Sequence, residues 1–221
     1  MISVICNNHK MLTGTGIGIG LVIVILLWSL IGYTGSNVEQ AKYEVVSNIN
    51  KIEIREYAEH IVATTSVNGT RQEALSKGFR IIANYIFGGN ESSNTISMTS
   101  PVTTLEKNSE SIAMTSPVLA KSTNASMYEI AFVMPSKYSL ETLPVPLDKR
   151  VKIVSVPKRK VAALKFSGFS TEAKIKKYES LLARNLSDNN ISYNPEPVYA
   201  GYSPPWTPPW MIRNEVMFEL N

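Results

Sequence analysis

Cysteine is almost missing from this chain. The single one, Cys6, lies ahead of an apolar stretch, so the folded part has no disulfide, no thiolate metal site and no cysteine nucleophile. Histidine is nearly as scarce: His9 and His60 are the two present, which excludes a multi-histidine metal cage. No G-x-S-x-G nucleophile elbow and no glycine-rich phosphate loop occurs. Acids such as Glu53 and Glu56 alternate along one strand and form no paired arrangement. Basic residues are not gathered either. Lysine and arginine total 22 against 18 acids, a net charge of +4, and they are scattered where a nucleic-acid binder would cluster them. Lys158, Arg159 and Lys160 read as a solvated turn. Nucleic acid is therefore not an expected partner.

Charge is absent altogether from residues 11–38. The centre of that stretch, GIGIGLVIVILLWSLIGYT (16–34), is dense in Leu, Ile and Val, and about 20 such residues suffice for a spanning helix. A retained single-pass anchor over residues 11–33 is the expectation, with a cleaved signal at Thr34, Gly35 and Ser36 as the alternative. Trp28 and Tyr33 sit where aromatic rings favour the interface. Gly14 with Gly18, and Gly16 with Gly20, are small-xxx-small spacings, offering self-association through that helix face or simple tolerance of glycine in lipid. The flanking cations lean the domain to the non-cytoplasmic side. This gives residues 1–36 as anchor or signal, 37–42 as linker and 43–221 as the folded domain.

The folded part is an α+β arrangement with an internal echo at a spacing of about 100 residues. KIEIREYAEHIVATTSVNG (51–69) lies over VKIVSVPKRKVAALKFSG (151–168). Each stretch reads as two strands joined by a tight polar turn, at residues 58–60 and 157–159. Each then leads into a helix. Leu75, Phe79, Ile82 and Ile86 make one apolar stripe, and Ile175, Tyr178, Leu182 and Leu186 the other, both on the 3.6-residue period. Gly88 and Gly89 stop the first helix, and Ser170 with Thr171 cap the second. Further strands are expected at 95–104, 111–120, 128–134, 197–202 and 214–220. Two β-β-α-β-β units imply a sheet or open barrel with both helices against it. A second echo pairs ISMTSPV (96–102) with IAMTSPV (112–118), which places Met98 and Met114 either in the core or on an apolar ligand wall.

Several separated motifs then appear in order: Tyr43 with Glu44, the helix end YIFGGN (85–90), the paired M-T-S-P-V strands, Pro135 with Tyr138, GYSPPW (201–206) and Asn214-Glu215-Val216. On these the chain, over nearly all of residues 43–220, resembles the SOUL haem-binding family. The resemblance implies a distorted open β-barrel with two packed helices in pseudo-two-fold arrangement, similar to effector-binding domains of bacterial drug-sensing regulators. With no helix-turn-helix ahead of the domain, DNA binding does not carry over. The family binds haem in an apolar cleft beside the first helix without an obligatory axial histidine, which implies non-covalent, non-catalytic binding of haem or a related tetrapyrrole here.

Carried over by position, the helix face includes Ser76, Phe79, Arg80 and Ala83. Phe79 and Ala83 stand where relatives have methionine, Asn84 where they have a basic residue, and Pro208 near a late basic position. The loop PPWTPPWM (204–211) adds Trp206, Trp210 and Met211, as cleft wall or as lid. Arg80 and Arg213 are the cations nearest these elements, suited to a carboxylate. His60 reads as an exposed turn residue, with axial ligation the minor reading. Two other readings use the same cleft: a tetrapyrrole-modifying enzyme, releasing iron or opening the ring, and a module binding a peptide or lipid.

Overall fold

A computed structural model describes residues 38–92, 109–124 and 126–221, together with 22–24, 26–30 and 33. Residues 22–24, 26–30 and 33 are helical, and the described residues from 38 on form, in chain order, β1 (Tyr43–Ile49), β2 (Ile52–Tyr57), β3 (His60–Asn68), α1 (Arg71–Ile86), β4 (Asn90–Glu91), β5 (Val118–Asn124), β6 (Met127–Val133), β7 (Val145–Pro146), β8 (Lys152–Val156), β9 (Arg159–Ser167), α2 (Glu172–Asp188), β10 (Val198–Gly201) and β11 (Arg213–Glu219). Nine strands form one sheet in the order β1-β2-β9-β11-β10-β5-β6-β3-β8, with every neighbouring pair antiparallel. Strands β4 and β7 pair separately. The result is an α+β fold built on one large curled antiparallel sheet.

Local patterning explains the elements. Thr70 caps α1: its hydroxyl accepts from the Glu73 N–H, while Glu73 accepts from the Thr70 N–H. This reciprocal box satisfies two donors that a helix start leaves open. Thr171 caps α2 by accepting from the Lys174 N–H. Strands β3 and β9 each carry four consecutive buried residues, because one face meets the helices and the other meets a second apolar layer.

The links at 58–59 and 157–158 are not hairpins. Strand β2 pairs with β9, and β3 pairs with β8, so each stretch of the echo is hydrogen-bonded to the other. Neither link has the Gly or Asn that a two-residue hairpin turn favours. The expected strand 111–120 begins only at Val118; Ser111 makes one isolated bridge, to Phe87. Residues 95–104 and Met98 lie outside the described residues, whereas Met114 is half-buried.

The core has two layers. On the helix face, Ile82, Tyr85 and Ile86 of α1 and Ile175, Leu182 and Leu186 of α2 pack on Ile130, Phe132, Leu164, Phe166, Val216 and Phe218. The opposite face gathers Tyr57, Val62, Val133, Val161, Tyr202 and Met217. Residues 38–42, read from sequence as linker, run against this second face with Ala41 buried. They are held by the bonds of Ser116 N–H to Glu39 O at 3.0 Å and Ala58 N–H to Lys42 O at 3.2 Å. Among the described residues no helix is long and apolar enough to cross a membrane. Most of the expected span, 11–33, lies outside them, as do Gly14 and Gly18.

Candidate functional site

The buried side of α1 is unusually small near its middle. Ala74 and Gly78 are fully or nearly buried, and a Cβ at Gly78 would stand 2.5 Å from Ile130 Cγ1 and 2.7 Å from its Cβ. The helix therefore rides close on β6, and this close seat rolls the next stripe residue outward. Phe79, read from sequence as shared between the core stripe and the ligand face, is 36 % exposed, with its ring 5.4 Å from that of Phe132. Ser76 and Arg80 flank it on the exposed face. Arg80 borders an open depression that also includes Lys77, Asn84, Asp148 and Arg150. Ala83 is buried, so a large side chain there would overpack and give no extra room for a ligand.

Loop 203–212 carries the two indoles. Trp206 and Trp210 are 56 % and 53 % exposed, while Thr207 and Pro208 beneath them are buried and Met211 is half-buried. The sheet register ties the root of this loop to the side of the sheet that carries α1. Phe132 pairs with Val118, and Val118 pairs with Gly201, just before the loop departs. Directly paired residues share a face, so Phe79, Phe132, Val118 and Gly201 form one row on the helix side. Two inter-strand spacings, about 10 Å, separate Phe132 from Gly201. The sheet register thus relates Phe79, seated over Phe132, to Gly201 at the root of the loop that carries Trp206 and Trp210, while Arg80 borders its depression on the β3 side of α1.

Arg213 does not join them. It lies with Glu215 on the opposite face, donating to Glu215 Oε1 from Nη2 at 2.7 Å and from Nε at 3.0 Å, with its guanidinium 3.8 Å above the Tyr202 ring. Arg55, fully buried, clamps the same carboxylate at 2.6 and 3.0 Å, and the Tyr202 hydroxyl donates to it at 2.9 Å. Burial alone would raise the Glu215 carboxyl, but Arg55 and then Arg213 outweigh it and hold it below the usual carboxylate range. Sequence reasoning left this network unread, although its signal was visible: Arg55 and Glu215 are charges placed inside otherwise apolar strands. Lys77 and Arg150 were also missed as companions of Arg80, the second because it comes from a distant part of the chain.

His60 is the first residue of β3, half-buried, and not an exposed turn residue. Its Nδ1 lies 2.8 Å from Ala58 O, so Nδ1 carries the proton and donates. Its side chain lines a cavity of about 40 Å³ on the face away from α1, walled by Tyr57, Leu119, Val133, Val161 and Met217 and rimmed by Lys121, Arg159, Glu196 and Glu219. Ligand pockets usually hold about 300–1,000 Å³, so this cavity is too small for a flat macrocycle, while a second, open depression of about 290 Å³ borders His60 with Ala41, Met134 and Tyr138. Burial lowers the His60 pKa below its ordinary 6.5, with the Ala58 bond opposing in part and Arg159 assisting. A depressed folded value means stability is intact above pH 6.5 and lost as pH falls through the folded pKa. Thermal melting should show that decline as pH falls below about 6.5, and His60→Gln should flatten it. An equal decline in both proteins would assign it to other groups.

Among the described residues no three His, Cys, Asp or Glu side chains converge as metal donors. A family model described as SOUL heme-binding protein matches residues 38–219. Heme-binding protein 1 of Xenopus laevis is 29% identical over 199 residues, covering 87% of this chain and 96% of that protein. Among solved structures, the EcmrR C-terminal domain is similar in fold at TM-score 0.54 and 11% identity, over 81% of this chain and 98% of that one. An uncharacterized conserved protein from Listeria innocua follows at TM-score 0.51 and 10% identity, over 79% and 94%.

Proposed function

The chain belongs to the SOUL heme-binding protein family, and from that premise we propose that it binds haem or a related tetrapyrrole non-covalently on the outer face of α1. The observation that carries the reading is the row Phe79, Phe132, Val118 and Gly201, which lines up an exposed phenyl ring with the base of a two-indole loop. A porphyrin offers a broad apolar face and two carboxylates, and needs aromatic walls with a few placed cations. Phe79, Trp206 and Trp210 supply aromatic surface; Ser76 and Met211 border it. Arg80 supplies the cation, with Lys77 beside it, since Arg213 is committed to Glu215. The reading is of a binder or carrier, with binding as the whole task of the site.

Haem titration with the propionates free and then esterified tests this assignment. Arg80→Gln should weaken haem binding about tenfold, the 1.4 kcal/mol scale of one charge-assisted bond. The same substitution should leave binding of the dimethyl ester unchanged. An equal loss for both ligands would remove Arg80 from propionate recognition.

A further inference from the structure

The chain has three tryptophans, and all three meet in one place. The Trp28 indole N–H donates to the Trp206 carbonyl at 2.9 Å, and its ring meets the Trp210 ring edge-on at 5.5 Å. Neither loop indole is sheltered by this contact, since Trp28 itself is exposed along with its two partners. Around Trp28, the helical residues Val22, Ile23, Val24, Leu26, Leu27 and Leu30 are all exposed. Phe169 is exposed too, next to Gly168, where a Cβ would lie 3.9 Å from Pro209 O in the same loop.

We propose that loop 203–212, pinned by Trp28, is a membrane-interface platform that seats the domain against the lipid headgroup layer. Helical residues apolar on every side call for an apolar surrounding, and a run of 28 positions without a charged side chain, 11–38, points to lipid. Tryptophan concentrates at the boundary between hydrocarbon and water because its ring is apolar and its N–H is polar. Here Trp28 belongs to the apolar run and the other two belong to the folded domain, so their contact fixes the domain's loop at the depth of Trp28. The prolines at 204, 205, 208 and 209 hold the loop's shape, and buried Thr207 and Pro208 root it, so the two indoles present a preformed surface. On the haem reading, the ligand face would open beside the bilayer, two strands from the platform.

The test needs no haem, so its failure leaves the haem reading untouched. The full chain carrying Trp28→Phe keeps Trp206 and Trp210 as its remaining indoles. Reconstituted into phosphatidylcholine vesicles brominated near the headgroup end of the acyl chain, it should lose the greater part of its tryptophan emission. The emission should also lie to the blue of that of the denatured chain. Unquenched emission from Trp28→Phe, with quenching in the unsubstituted chain limited to the share that Trp28 alone contributes in Trp206→Phe with Trp210→Phe, would mean that the apolar run alone touches lipid, and would overturn the proposal. Protection of the loop indoles from aqueous iodide without bromine quenching would assign the surface to a second copy of the chain, and would overturn it equally.

Discussion

Glu215→Ala is expected to destabilise the domain by about 3–5 kcal/mol, the scale for breaking a buried ion pair from one side. The carboxylate is fully buried and accepts from Arg55, Arg213 and the Tyr202 hydroxyl. Removing it takes the bidentate partner from the fully buried Arg55 guanidinium, which keeps Glu53 at 2.8 Å, the Tyr57 hydroxyl at 3.2 Å and the face of the Tyr43 ring at 4.4 Å. Arg213 is partly exposed and can turn to water, so the cost falls chiefly on Arg55. For a domain of this size, thermal melting should drop by roughly 6–20 °C. The double variant Arg55→Leu with Glu215→Leu should lose less than Glu215→Ala, because no guanidinium is then left buried and unpaired. A loss below about 1 kcal/mol for Glu215→Ala would show that the pair is solvated in the working protein.

Gly78→Ala is the second large expectation, and its sign opposes helix propensity. In an exposed helix the change would stabilise by about 1 kcal/mol. Here the new methyl would meet Ile130 at 2.5–3.0 Å, and Ile130 is fully buried on β6, which is bonded on both sides by β3 and β5. A β-branched side chain fixed between paired strands has nowhere to go. The net result should be a loss of about 1–3 kcal/mol. Haem affinity should fall as well, since lifting α1 moves Phe79 off Phe132. Equilibrium unfolding and haem titration of the same variant check both parts; a stabilised variant would show that the helix can shift without strain.

The same glycine shows why the site was only partly legible. A hydrophobic period identifies which residues are apolar, and it placed Ile82, Ile86, Ile175, Leu182 and Leu186 correctly in the core. It does not say how close the helix sits. Phe79 fits the stripe, yet the small Ala74 and Gly78 let the helix approach on another line and leave Phe79 at the rim. Strands such as 128–134 and 214–220 were legible from alternation, although 43–49 was not expected and 111–120 begins only at Val118; the pairing of β2 with β9 and β3 with β8 was not legible, because it is decided by contacts about 100 residues apart. A two-residue link looks like a hairpin to a local reading, although Ala58 with Glu59 lacks hairpin chemistry. Arg213 looked free because its partner Glu215 lies two residues along a strand, on the same face, where sequence shows proximity without geometry. His60 was misplaced for a related reason: the link it was assigned to ends one residue earlier, and β3 begins with its side chain turned to the far face.

That separation of faces gives the most direct test of where the ligand lies. The full chain should be titrated with haem while the Soret band is followed, alongside Phe79→Ala and His60→Ala. We expect saturable binding, a loss of about tenfold or more for Phe79→Ala, and a change within about threefold, roughly 0.7 kcal/mol, for His60→Ala. Unchanged affinity in Phe79→Ala, together with a large loss and a shifted Soret maximum in His60→Ala, would contradict this placement and move the haem to the opposite side of the sheet.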